Sequence, residues 1–213
     1  MKHIKPYKLF EDNSKTDFDK IIEVLSAECS EFLELLKEKN IKGLYRGATI
    51  HETPIVDGFW KMKPFERRQS RDTKSSVQKI FDDELEKAFG IRLRSKGVFA
   101  SKDRSIAAEY GERLYHVSDI NNSVFLFIPT NGFRYFWNPQ IDDLYTELRD
   151  KWWYQKDQFY WDRGVWNEIN RMCHGYQEGG IEAAKYQELT FICDSYYMLS
   201  LDYYDKFVDY LLK

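Results

Sequence analysis

Six apolar runs of strand length constrain this chain more than any other feature of its sequence. They are Gly43–Gly47, Lys96–Ser101, Ser123–Pro129, Phe133–Trp137, Glu188–Asp194 and Tyr196–Leu201. Apolar runs of about four to eight residues, rich in aromatic and β-branched side chains and bounded by polar turns, read as strands. Helical periodicity occupies the rest. Residues 17–39 carry Phe18, Ile21, Ile22, Leu25, Cys29, Phe32, Leu33 and Leu36 at three- and four-residue spacing, acidic early and basic late. That pattern predicts one long helix stopped by Asn40. Val77, Ile80, Phe81, Leu85 and Phe89 predict a second helix over Ser75–Phe89, ended by Gly90. Ser105–Tyr110 reads as a short helix and Gln140–Lys151 as a longer one. A helical start followed by strands with inserted helices is α+β, not a βαβ alternation.

At 213 residues, with no internal repeat and no low-complexity linker, the chain is expected to be a single folding unit over 1–213. Within it, 1–40 is the helical part and 43–199 the core. No apolar run approaches the ~20 residues that span a bilayer, and the opening MKHIKPYKLFEDNSK lacks a signal-peptide apolar region. Cys29, Cys173 and Cys193 are scattered without CxxC spacing and read as reduced thiols. These features predict a cytoplasmic protein with no membrane partner and no metal site. The net charge of −3 argues against coating nucleic acid by bulk electrostatics. Lys61–Arg104, however, holds 13 basic and 7 acidic residues. This stretch is either a solvated face, the more ordinary outcome, or a phosphate-binding one. The aromatic segment Trp152–Trp166 is read first as core or interface and second as a stacking platform.

Standard catalytic signatures are missing: there is no P-loop, GxGxxG, HExxH or GxSxG. His3, His51, His116 and His174 are widely spaced and offer no local metal-ligand motif, and a Cys–His nucleophile stays open, since such partners meet only in space. A three-part pattern remains. Leu44-Tyr45-Arg46-Gly47 is the first window. Ser95-Lys96-Gly97-Val98-Phe99-Ala100-Ser101, running into Ser105-Ile106-Ala107-Ala108-Glu109-Tyr110-Gly111, is the second. Tyr186-Gln187-Glu188-Leu189-Thr190-Phe191-Ile192 is the third. In order and spacing the chain resembles the ADP-ribosyltransferase superfamily across about residues 43–199, with the second window the most specific. Arg67–Thr73 and Trp137–Leu144 also resemble segments of small bacterial and phage members and carry no assigned role.

The resemblance implies two small packed β-sheets forming an NAD cleft, with the N-terminal helix beside them. It implies Glu188 and Arg46 as catalytic residues, and Tyr45, Arg46, Gly47, Ser95, Phe99, Ser101 and Tyr110 as residues shaping the NAD site. The chemistry fits these types. Breaking the nicotinamide–ribose bond spreads positive charge over the ribose, which a fixed carboxylate stabilises, and a guanidinium offers forked donors to phosphate. Each has a plainer role as well. Glu188 could cap a buried strand, Arg46 could pair with a surface carboxylate, Gly47 could begin a turn, and Phe99 could be core. Tyr186 stands where arginine-modifying members carry a second glutamate, and Arg46 stands where poly(ADP-ribose) polymerases carry His. Both departures point to single transfer onto another acceptor. The expected activity is an NAD-dependent mono-ADP-ribosyltransferase, with NAD as co-substrate, no metal, and a protein or nucleic acid as acceptor. The relatives' toxin, antiviral-defence and phage-effector roles would add an antitoxin-like inhibitor as partner. An NAD glycohydrolase, or a binding module that retains the fold, are the alternatives. Glu188→Ala is expected to abolish transfer and leave the fold intact.

Overall fold

A computed structural model describes residues 16–47, 58–66, 75–110, 124–139, 163–184 and 188–213. It is α+β with two small antiparallel sheets. The chain divides into two compact units, each assembled from separated segments. Among the described residues no helix is long and apolar enough to cross a membrane.

The first unit draws on Met1–Lys63, Asp103–Gly132 and Asp194–Lys213. It contains α1 (Asp17–Glu28), α2 (Ser30–Glu38), β1 (Tyr45–Gly47), β2 (Phe59–Met62), α5 (Arg104–Tyr110), β4 (Val124–Pro129), β8 (Tyr196–Ser200) and α7 (Tyr204–Leu211). Its sheet runs in the order β1-β4-β8-β2. All six residues of β4 are buried, as its unbroken apolar run requires of a central strand. A reciprocal capping box starts α1: Thr16 Oγ1 accepts from the Asp19 N–H at 3.2 Å, and Asp19 Oδ2 accepts from the Thr16 N–H at 3.1 Å.

The single helix expected over 17–39 is two, broken at Cys29. The cause is Asn131. Its N–H donates to the Glu28 carbonyl at 2.8 Å and its Oδ1 accepts from the Glu31 N–H at 3.1 Å. Those are groups that a continuous helix would pair internally. Asn40 does stop α2, in a left-handed conformation at φ 51°. The Asn40 N–H reaches the Lys37 carbonyl at 3.1 Å and the Ile41 N–H reaches that of Leu36 at 2.9 Å, completing a Schellman motif.

The second unit draws on Pro64–Lys102 and Phe133–Cys193. It contains α3 (Ser75–Phe89), α4 (Leu93–Lys96), β3 (Val98–Ala100), β5 (Arg134–Trp137), α6 (Arg163–His174), β6 (Gln177–Glu178) and β7 (Leu189–Ile192). Here the order is β3-β7-β5-β6. Phe136 and Ile192 pack with Phe81 and Leu85 of α3 and with Ile169 and Met172 of α6, so one face of this sheet is covered by helices. Gly90 ends α3 as expected, at φ 74°. The strand expected from Lys96 begins only at Val98, because residues 93–96 form a helical turn. From the Trp137–Leu144 segment, Asn138 is buried and donates from Nδ2 to the Met172 carbonyl at 2.7 Å, closing the end of α6. Trp137 Nε1 donates to the Gly179 carbonyl at 2.9 Å. The helix expected over Gln140–Lys151, Arg67–Thr73 and most of Trp152–Trp166 lie outside the described residues.

Candidate functional site

Two of the three windows meet in the second unit. β3 and β7 pair antiparallel, with Val98 opposite Phe191, Phe99 opposite Thr190 and Ala100 opposite Leu189. Residues opposite one another share a sheet face, so Phe99 lies on the face of Thr190 and Phe136. That face is the helix-covered one. Glu188 stands immediately before β7 and is 8% exposed. Its Oε1 accepts from Arg94 Nη1 at 3.0 Å, a largely buried ion pair. Such a pair is held by charge-assisted hydrogen bonding in a low-dielectric setting.

Arg94 organises the surroundings. Its guanidinium lies 5.0 Å from the centre of the Phe99 ring and also hydrogen-bonds the side chain of Tyr176. Burial pushes the Tyr176 hydroxyl up to about 12, so it stays protonated. Asp82, buried on α3, accepts at one oxygen from the Arg94 N–H at 2.9 Å and the Ser95 N–H at 3.1 Å. It thereby caps α4 from another helix, and the Ser95 side chain adds a further hydrogen bond to it. Burial raises the Asp82 carboxyl above its ordinary range in spite of these donors. Ser101, two residues beyond Phe99, is buried at the end of β3.

The first window belongs to the other unit. Arg46 lies in β1, opposite Phe125 of β4, with its guanidinium 5.6 Å from the centre of the Tyr196 ring. Tyr45 is buried, its ring 6.3 Å from that of Tyr204 and 5.7 Å below the Arg104 guanidinium. Burial drives its hydroxyl well above the usual range, and a hydrogen bond with Tyr204 adds to the shift. Gly47 is the last residue of β1, opposite Val124, and Tyr110 is the last of α5. The site residues therefore fall into two groups. Ser95, Phe99, Ser101 and Glu188 belong to the second unit, and Tyr45, Arg46, Gly47 and Tyr110 to the first.

Arg94, Asp82 and Tyr176 were not legible as site residues. A signal for Asp82 did exist. It falls between Gln78 and Leu85 on the inward stripe of α3, where a buried carboxylate must find donors.

The basic stretch is divided between the two units, with Lys61, Lys63 and Arg104 in the first and its other described members in the second. Within the first unit Lys61 pairs with Glu28, and within the second Lys87 pairs with Glu84, Arg92 with Asp83 and Glu86, and Arg94 with Glu188. Cys173 is buried, and burial lifts its thiol to about 12, which disfavours the reactive thiolate. Its sequence neighbour His174 is exposed, on a different side of α6. No family model, no curated protein and no solved structure matches this chain, so its assignment rests on the geometry of Glu188 and its neighbours.

Proposed function

We propose that this chain is a mono-ADP-ribosyltransferase that uses NAD as co-substrate, with Glu188 as its catalytic carboxylate. The observation that carries the reading is the antiparallel pairing of β3 with β7. It brings the second and third windows, about ninety residues apart in sequence, into register and leaves an oriented glutamate at the head of the strand. In the reaction the nicotinamide–ribose C–N bond breaks and its electron pair leaves with nicotinamide. A nucleophile on the acceptor bonds the ribose carbon and gives up its proton. The Glu188 side chain accepts a hydrogen bond from a ribose hydroxyl and offsets the developing positive charge. Arg94 holds the carboxylate through Oε1, and the Phe99 ring backs its guanidinium.

The burial of Glu188 favours one second reading, a purely structural ion pair in a non-catalytic binding protein. The same burial makes Glu188→Ala a poor test. Alanine would strand the Arg94 guanidinium inside the unit at a cost of about 3 kcal/mol, the lower end for breaking buried pairs because Arg94 retains some exposure. Glu188→Gln keeps the shape and an acceptor oxygen. Incubation with labelled NAD and separate pools of protein, RNA and DNA is expected to label one pool with the wild type. E188Q should lower nicotinamide release by ~100-fold or more while the melting curve stays cooperative. Turnover in E188Q equal to that of the wild type would leave the structural reading standing. Nicotinamide release without any labelled macromolecule would make the enzyme a glycohydrolase.

A further inference from the structure

We propose that Arg94 is the positioning residue of Glu188, holding one carboxylate oxygen so that the other is presented to a hydroxyl of the substrate sugar. The inference deepens the reading above and rests on it. Arg94 Nη1 donates to Oε1 at 3.0 Å. Among the described residues no donor reaches Oε2, and the Glu188 side chain keeps 7% of its surface open. An ion pair serving stability alone gains most when both carboxylate oxygens are satisfied. Among the described residues, this one satisfies a single oxygen.

The guanidinium is itself anchored well beyond what a surface arginine receives. Its backbone N–H is fixed on Asp82 at 2.9 Å, its cation faces the Phe99 ring at 5.0 Å, and Tyr176 shares its donors. Swinging away would forfeit the ring and the hydroxyl together. Arginine suits this task because its planar fork reaches two acceptors at fixed angles, whereas lysine is a point charge on a flexible stem. Glu188 is thus aligned before substrate arrives, and less ordering remains for the transition state.

The test uses the full chain with Arg94→Lys and Arg94→Gln. One readout is the kcat and KM of nicotinamide release, and the other is the placement of the Glu188 carboxylate in crystals of each variant. We expect kcat to fall by about tenfold in R94K and by ~100-fold in R94Q, with KM for NAD within about threefold of wild type. The Glu188 carboxylate should leave its wild-type position in both. A folded R94K or R94Q with wild-type kcat, or with Glu188 unmoved, overturns the proposal. If R94Q does not fold, R94K decides alone. If the wild type releases no nicotinamide, the transferase reading fails separately. The crystals then settle this inference: a displaced carboxylate supports it and an unmoved one sinks it.

Discussion

A methyl group at residue 97 has nowhere to go. A Cβ there would stand 2.3 Å from Thr190 Cγ2 and 2.4 Å from the Leu93 carbonyl oxygen. Gly97 is required for space rather than for an unusual backbone angle, since its φ of −78° suits any residue. It lets the turn of α4 pass directly into β3 against β7. Gly97→Ala should therefore cost about 2 kcal/mol or more in urea unfolding, as overpacking does where the backbone itself is in the way. Thiol chemistry is a second matter at this scale. Cys29 and Cys173 are buried and Cys193 is half-buried. Native-state alkylation near pH 8, read by peptide mass, is expected at Cys193 first and at Cys173 only after unfolding. Glu188 was singled out by the resemblance of its window, Tyr186–Ile192, and not by its place before an apolar strand alone. Its partner was not: Arg94 is separated from it by 94 positions, and nothing local marks that pairing.

At the level of elements, strand existence was readable and helix continuity was not. All six expected strands are present with ends trimmed by one to three residues, because hydrophobic runs record burial directly. β2, α4, α6, β6 and α7 went unread. β2 is interrupted by the exposed Lys61, and α4 spans four residues, too few to show a period. The break at Cys29 was invisible because the side chain that causes it arrives about 100 residues later. Asn131→Ala should lower the stability of the first unit by about 1–2 kcal/mol, since it removes an acceptor from the Glu31 N–H. Circular dichroism should show no loss of helix, as both flanking helices keep their own hydrogen bonds. The same corner carries a pH dependence. Burial would raise the Glu28 carboxyl, but the Lys61 ammonium and the Tyr197 hydroxyl, donating at 2.8 Å, outweigh it and hold the group below its usual range. A carboxyl lowered by folding stabilises the native state at neutral pH, and that stability is lost as pH falls through its folded value. Lys61→Met should flatten this acid limb by under about 1 kcal/mol, because both partners are substantially exposed.

For the whole molecule, the class was legible and the path of the chain was not. An α+β chain follows from short apolar runs set among helical periods, whereas the two small sheets were what the resemblance implied. That the chain passes back and forth, so that Pro64–Lys102 and Phe133–Cys193 build one unit and the remaining segments the other, leaves no mark in local sequence. The first unit's sheet depends on β8, which pairs with β4 on one side and β2 on the other. A chain truncated after Cys193 should lose the folded core of that unit, seen as collapse of its methyl and aromatic NMR dispersion.

That dependence has a consequence for biosynthesis. β4 is translated some seventy residues before the strand that lies beside it, so Phe125 and Phe127 must wait as an open hydrophobic edge while the intervening polypeptide is made. An interval of that kind invites chaperone engagement. It also delays any activity that needs Arg46 in its finished sheet until the nascent polypeptide has delivered residues 196–200 into place.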